Sequence, residues 1–183
     1  MIYHQDSTYR SVDGPAARVG WIPIPLTAMR EVFTNNMTNI AGNGGVLASD
    51  TTPILEFTNG DTDSALRARW ASSNSDALAW AIPLPPDLDP SNPIYVKFIA
   101  EMGGATDTPT VLLETFFGKG DTKVSDSSAA VTGTTAAVYT ITIAAADVET
   151  NVRKLFASFE FTPGAHTTDT FVLYALWMEY TKR

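Results

Sequence analysis

Along most of this chain apolar and polar residues alternate with a period of two, the spacing of a half-buried strand, and no apolar stripe at helical spacing runs beyond about three turns. Residues 138–143 give the clearest case, with Tyr139, Ile141 and Ile143 on one face and Thr140 and Thr142 on the other. Over 94–102 the apolar set is Ile94, Val96, Phe98, Ala100 and Met102, while Lys97 and Glu101 point away. Residues 155–161 repeat the device with Leu155, Ala157, Phe159 and Phe161 inward and Ser158 and Glu160 outward. Weaker runs at 54–58, 65–70, 77–82 and 111–117 and a long one at 170–180 bring the expectation to about eight strands. Gly, Pro, Asn and Asp clusters separate them.

Such a chain is expected to be all-β, a two-sheet antiparallel sandwich, most often a jelly roll. A closed barrel is the weaker alternative, because Pro83, Pro85, Pro86, Pro90 and Pro93 make residues 83–93 an edge or a connecting loop. The last strand differs from the others. Phe171, Leu173, Ala175 and Trp177 share one face, and Val172, Tyr174, Leu176, Met178 and Tyr180 share the other. Two apolar faces suit a central strand covered on both sides, or one that meets a partner through Tyr174, Met178 and Tyr180.

Residues 1–50 read as a separate N-terminal region ahead of a sandwich at 51–183. Residues 1–17 are polar and unpatterned, as in an extended arm. Residues 18–26 are extended, with Pro23 and Pro25 forbidding a central strand, and 27–33 suit a short helix capped by Thr27. Tyr3, Tyr9, Trp21 and Ile24 are more anchoring side chains than a linker needs, so they are candidate partner contacts.

Composition narrows the function more than the fold. The 183 residues carry 12 Lys+Arg against 20 Asp+Glu, a formal charge of −8, and no Cys; Thr is frequent and Lys scarce. Thiol chemistry, thiolate metal sites and disulfides are excluded, and an acidic balance argues against gripping nucleic-acid phosphates. The longest apolar run, 171–178, is far short of the roughly 20 residues that span a bilayer, and the first residues show no secretory pattern. A soluble protein made in the cytoplasm, with no membrane or nucleic-acid partner, is expected.

No enzyme emerges from the residues. His4 and His166 are the two histidines, and a triad of Ser158, His166 and Asp169 lacks a nucleophile elbow, so His166 reads as a solvated loop side chain. Oxygen-rich stretches at 59–64 and 87–89 are better read as turns than as calcium loops: an EF-hand starting at Asp61 finds Ser72 where Glu is needed. Gly118-Lys119-Gly120 is a hairpin signal rather than a phosphate loop. Glu101, Glu114 and Glu160 read as a solvated outer face, and Arg67 and Arg69, on one face of a strand, as partners of acidic neighbours. No cofactor and no metal is expected.

The order of segments resembles jelly-roll virion proteins of tailed bacteriophages that decorate or cement the capsid. The residues that carry it are Trp21-Ile22-Pro23 with Ala28-Met29-Arg30, then Ile54-Leu55-Glu56-Phe57 ahead of Asp61, then residues 78–89 with the turn IPLPPDLD, and the closing Leu176-Trp177-Met178-Glu179-Tyr180. The resemblance implies a domain on the outer capsid surface that binds the major capsid protein, often as a homotrimer, and stabilises the shell through many modest contacts. It places the last strand near an interface and the arm on a neighbour. Two other classes stay open: a carbohydrate-binding module, or a receptor-binding or tail-associated jelly roll, with Trp21, Trp70, Trp80 and Trp177 as candidate stacking residues; and a cupin-like enzyme, for which two histidines are too few.

Overall fold

A computed structural model of the protein describes residues 18–33, 36–37, 53–57, 65–119, 122–151 and 156–183. The chain runs through β1 (Val19–Ile24), a 3-10 turn (Leu26–Ala28), β2 (Arg30–Phe33), β3 (Asn36–Met37) and β4 (Ile54–Phe57). It continues through β5 (Leu66–Trp70), β6 (Ala77–Pro83), β7 (Ile94–Met102), β8 (Val111–Phe117) and β9 (Val124–Ser127). The closing elements are β10 (Ala137–Ile143), α1 (Ala145–Asn151), β11 (Phe156–Pro163) and β12 (Phe171–Thr181). Among the described residues two six-stranded sheets form. Sheet A has the order β10-β7-β12-β5-β4 with β1 also on β12, and sheet B has the order β3-β2-β6-β11-β8-β9. Every pairing is antiparallel. The protein is therefore an all-β jelly-roll sandwich.

All eight strands expected from alternation are present, and β1, β2, β3 and β9 are additional. Sheet A turns Ile94, Val96, Phe98, Ala100 and Met102 of β7 inward, and sheet B answers with Leu78 and Trp80, Phe159 and Phe161, and Val111, Leu113 and Phe117. Phe161 lies at the centre. Its ring meets Phe98 edge-on at 5.1 Å and sits 6.2 Å from Trp70 and 6.3 Å from Phe171, so one sheet B side chain engages three strands of sheet A. Burying such rings supplies about 1.5–3 kcal/mol each, the main force closing the two layers.

Of the first fifty residues, the described ones, 18–33 and 36–37, belong to the two sheets. β1 pairs with β12 from Val19↔Thr181 to Ile24↔Leu176, and β2 pairs with β6. β1 is an edge strand, which is how Pro23 is tolerated within it. Gly20 is required there: a Cβ would fall 2.1 Å from Cζ of Tyr180, whose ring covers the glycine. The expected helix over 27–33 is a single 3-10 turn followed by β2. The cap is Pro25, not Thr27, and the turn ends as Met29 returns to extended backbone with its side chain in the core. Tyr3, Tyr9 and His4 lie outside the described residues, as does the loop at 59–64.

At one end of the sandwich three loops are tied together. Asp169 accepts backbone N–H bonds from Thr106 and Asp107, and Asp107 accepts them from Thr168 and Asp169, a reciprocal pair of carboxylate caps. Gly104 permits the approach, since a Cβ there would lie 2.0 Å from an Asp169 oxygen. His166 is not solvated: it is 1% exposed, with Nδ1 against the Gly164 carbonyl and Nε2 against that of Ala71. The Ser73 N–H, from a residue at φ 66°, bonds the His166 carbonyl. This histidine fastens loops: both ring nitrogens face backbone carbonyls, and the N–H of the neutral ring donates to one of them.

Candidate functional site

The outer face of sheet A carries the most distinctive surface, and it originates in a bulge. β12 pairs with β7 in one register up to Leu173↔Ala100 and in a shifted one from Ala175↔Ile99, so Tyr174 is the extra residue. A one-residue slip exchanges the two faces of a strand. Before it Phe171 and Leu173 point into the core; after it Leu176, Met178 and Tyr180 do. The two apolar faces expected from strict alternation are thus largely one core-facing set with a change of phase. Met178 and Tyr180, expected at a partner surface, are core residues, 0% and 7% exposed. The Tyr180 hydroxyl donates to Asp87, and burial with that hydrogen bond pushes the phenol above its usual range.

The same slip sends Ala175, Trp177 and Glu179 outward. On the opposite edge of β12, β5 covers Phe171 to Leu173 and β1 begins at Leu176, so Tyr174 and Ala175 fall in a gap between two strands set end to end. Over this gap lies an open groove of about 300 Å³ lined by Trp21, Pro23 to Thr27, Leu66 and residues 174–177. Trp21 is 59% exposed on the outer side of β1, and Trp177 stands directly across from Pro23. Of the expected partner residues, the structure brings Trp21, Ile24 and Tyr174 together here, with Ile24 buried in the wall. Trp70 and Trp80 belong to the core.

The aromatic polar ends are held. Trp177 Nε1 donates to Glu179 Oε1 at 2.8 Å, and Lys97 Nζ meets Glu179 Oε2 at 2.7 Å. Lys97 first, then the indole N–H, hold the Glu179 carboxyl below the usual carboxylate range. The Tyr174 hydroxyl donates to Glu101 Oε1 at 2.6 Å, and burial and that bond raise the phenol against the opposing effect of Arg67. On β5, Arg67 and Arg69 face outward and both donate through Nε to Oε1 of Glu56, at 2.7 and 3.0 Å. Burial pulls Glu56 upward, but the hydrogen bonds and charges of Arg69 and Arg67 hold it low. The expected pairing of these arginines with acidic neighbours is what the structure has.

Sequence reading placed Trp177 among four candidate tryptophans without distinguishing it. The spacing of Trp177 and Glu179, two apart and hence on one strand face, was the available signal. Pro23, Leu66 and the gap between β1 and β5 left no signal, because they depend on which strands share an edge.

Elsewhere the candidate chemistry is structural. Asp89 caps the turn after it, accepting from Ser91 N–H and from Asn92 Nδ2. On the outer face of sheet B, Glu160 stands directly opposite Glu114, which pairs with Lys123. Burial, and then the Glu114 charge, push the Glu160 carboxyl upward. Among the described residues no group of three His, Cys, Asp or Glu is placed to hold a metal.

No family model matches this chain. No curated protein matches it either. Among solved structures, it is similar to the CBM36-1 domain of a multidomain xylanase from the hindgut metagenome of Trinervitermes trinervoides, at 10% identity and a TM-score of 0.48, over 91% of this chain and 99% of that one. It is similar to CBM35 of Abf62 from Cellvibrio japonicus, at 13% identity and a TM-score of 0.42, over 91% and 99%. TmCBM61 in complex with β-1,4-galactotriose gives 13% identity and a TM-score of 0.42 over 88% and 86%. At scores below 0.5 these likenesses carry no argument about what the groove holds, which rests on its own residues.

Proposed function

We propose that the protein is a non-catalytic binding module that takes a carbohydrate in the groove between β1 and β5. The observation that carries this reading is the pair of tryptophans with Tyr174 at one open groove, with the Trp177 indole and the Tyr174 phenol each tied to a carboxylate so that these two rings keep a fixed orientation. A sugar ring presents an apolar C–H face and a rim of hydroxyls. The negative face of an aromatic ring suits the first, and Glu101, Glu179 and Lys97 beside the groove suit the second. Rings fixed before the ligand arrives lose little side-chain freedom on binding.

The test is calorimetry with a panel of hexasaccharides on the whole protein, its Trp177→Ala form and its Trp21→Ala form. A bound sugar is expected to lose at least about tenfold in affinity with either change, since truncating an aromatic anchor costs on the order of 2 kcal/mol. No binding across the panel, or unchanged affinity in both variants, overturns the reading.

A second reading is favoured by Val19, Trp21 and Val138, large apolar side chains about 60% exposed on the outer face of sheet A. They suit a protein partner, as in capsid decoration, where the chain binds the major capsid protein as a homotrimer on the virion surface. Light scattering and co-sedimentation with capsids test it, and a monomer that leaves capsids bare overturns it.

A further inference from the structure

The groove's two ends differ in the cations they carry. At the Trp177 end one cation, Lys97, meets one anion, Glu179. At the Tyr174 end two guanidinium groups share one carboxylate, in a chain whose totals are 12 cations and 20 anions. Alternation with buried Ala68 and Trp70 fixes both arginines on the outer face of β5; Arg67 follows Leu66 of the groove wall and meets Tyr174, and Arg69 stands two residues further on, opposite Val172. With Glu101, which accepts the Tyr174 hydroxyl, the formal charges at this end balance as well, so its distinction is a pair of guanidinium forks beside an aromatic ring.

Both arginines spend Nε on Glu56. A guanidinium has five N–H donors in a planar fork, and the fork matches the two oxygens of a carboxylate. The Nη donors of Arg69 make no hydrogen bond to a described residue, and those of both arginines bind no second carboxylate among them. Glu56 steadies the two forks side by side; Tyr174 engages Arg67 as well, and the Nη end of Arg69 has no partner among the described residues. A bidentate contact there costs little ordering, because the stems are already held.

We infer that the groove's ligand is an acidic glycan, one sugar stacking on the aromatic wall while the carboxylate of a uronic acid is received by the Nη nitrogens of Arg67 and Arg69. This rests on the carbohydrate reading of the groove. The experiment titrates the whole protein with three probes: a hexamer of polygalacturonate, its methyl ester, and neutral xylohexaose. The variants are Arg69→Gln, Arg69→Lys, Trp177→Ala and Trp21→Ala, each checked for an unchanged melting temperature.

The expected result is that the acidic hexamer binds and that methyl esterification and Arg69→Gln each weaken it at least tenfold. Arg69→Lys, which keeps the charge and loses the fork, falls between. Equal binding of the hexamer and its ester, or no effect of Arg69→Gln while Trp177→Ala abolishes binding, overturns the acidic ligand and leaves the groove reading standing. Binding of none of the three probes, or binding indifferent to Trp177→Ala, overturns the inference; indifference to Trp21→Ala as well removes the groove reading.

Discussion

Replacing Phe161 by alanine is the sharpest test of how the two sheets are held. The ring is fully buried on sheet B, and its aromatic neighbours Phe98, Trp70 and Phe171 all belong to sheet A, at centroid distances of 5.1, 6.2 and 6.3 Å. Truncation removes the transfer energy of the ring and leaves a void that strands hydrogen-bonded on both sides of β11 cannot collapse to fill, so about 3–5 kcal/mol is expected. Against a typical total of about 5–15 kcal/mol that is a large share, and for a domain of this size it lowers the melting temperature by on the order of 10 °C. Phe161→Leu keeps most of the volume and should cost about 1–1.5 kcal/mol. The 89° interplanar angle with Phe98 predicts a further coupling of about 0.5–1.5 kcal/mol in a Phe98→Leu, Phe161→Leu double-mutant cycle. Urea unfolding followed by tryptophan fluorescence measures all three. A loss under 2 kcal/mol for Phe161→Ala at unchanged m-value refutes the inter-sheet role, and a coupling near zero refutes the edge-on contact as a source of stability.

Three other perturbations have signs set by the structure. Glu160 has its folded pKa raised by burial and by Glu114, so its favourable contribution exists at low pH and is lost as pH rises through the folded value; Glu160→Gln should therefore stabilise at pH 7 by about 0.5 kcal/mol and gain nothing near pH 4, as read by melting curves at the two pH values. Thr115 is fully buried on the inner face of β8 with no hydrogen-bond partner for Oγ1 among the described residues, so Thr115→Val should raise stability by about 1 kcal/mol in chemical denaturation, and a loss instead would reveal a partner for that hydroxyl. The Asp107 carboxyl is held low by the N–H groups of Asp169 and Thr168, so its contribution is present above its unfolded pKa of about 4 and lost as pH falls through the lower folded value; Asp107→Asn should flatten the acid limb of the stability profile below pH 4 and free the 164–170 loop for faster amide exchange.

The sandwich was legible in sequence because burial writes a period of two directly onto strands such as β7 and β10, whose inner and outer residues differ in kind. β1 and β2 were not, since prolines at 23 and 25 and the shortness of β2 mask strands whose partners β12 and β6 lie some 150 and 50 residues away. His166 was misjudged for a related reason. A loop histidine in a Gly-, Thr- and Asp-rich stretch reads as solvated, and its burial depends on the carbonyl of Ala71, 95 residues distant in the chain. Trp21 and Tyr174 were chosen for being large and oddly placed, which sufficed to find two walls of the groove. Trp177 and the two arginines needed the strand order to connect them.

Tyr174 explains why both the misreading and the site fall on the same strand. Were Tyr174 paired in regular alternation instead of bulged, β12 would hold one phase from Phe171 to Thr181, and Phe171 and Leu173 in the core would force Ala175, Trp177 and Glu179 inward after them. The bulge lets the first half bury Phe171 and Leu173 against Trp70 while the second half buries Leu176, Met178 and Tyr180 under β1. It thereby places an indole and its tethering carboxylate on the open face. It also separates the stretches covered by β5 and β1, and the groove lies over that separation. Deleting Tyr174 should therefore preserve the inward set on both sides while closing the register, so a folded sandwich that no longer binds at the groove is the expected outcome. A deletion variant that binds as well as the parent would show that the groove owes nothing to the change of phase.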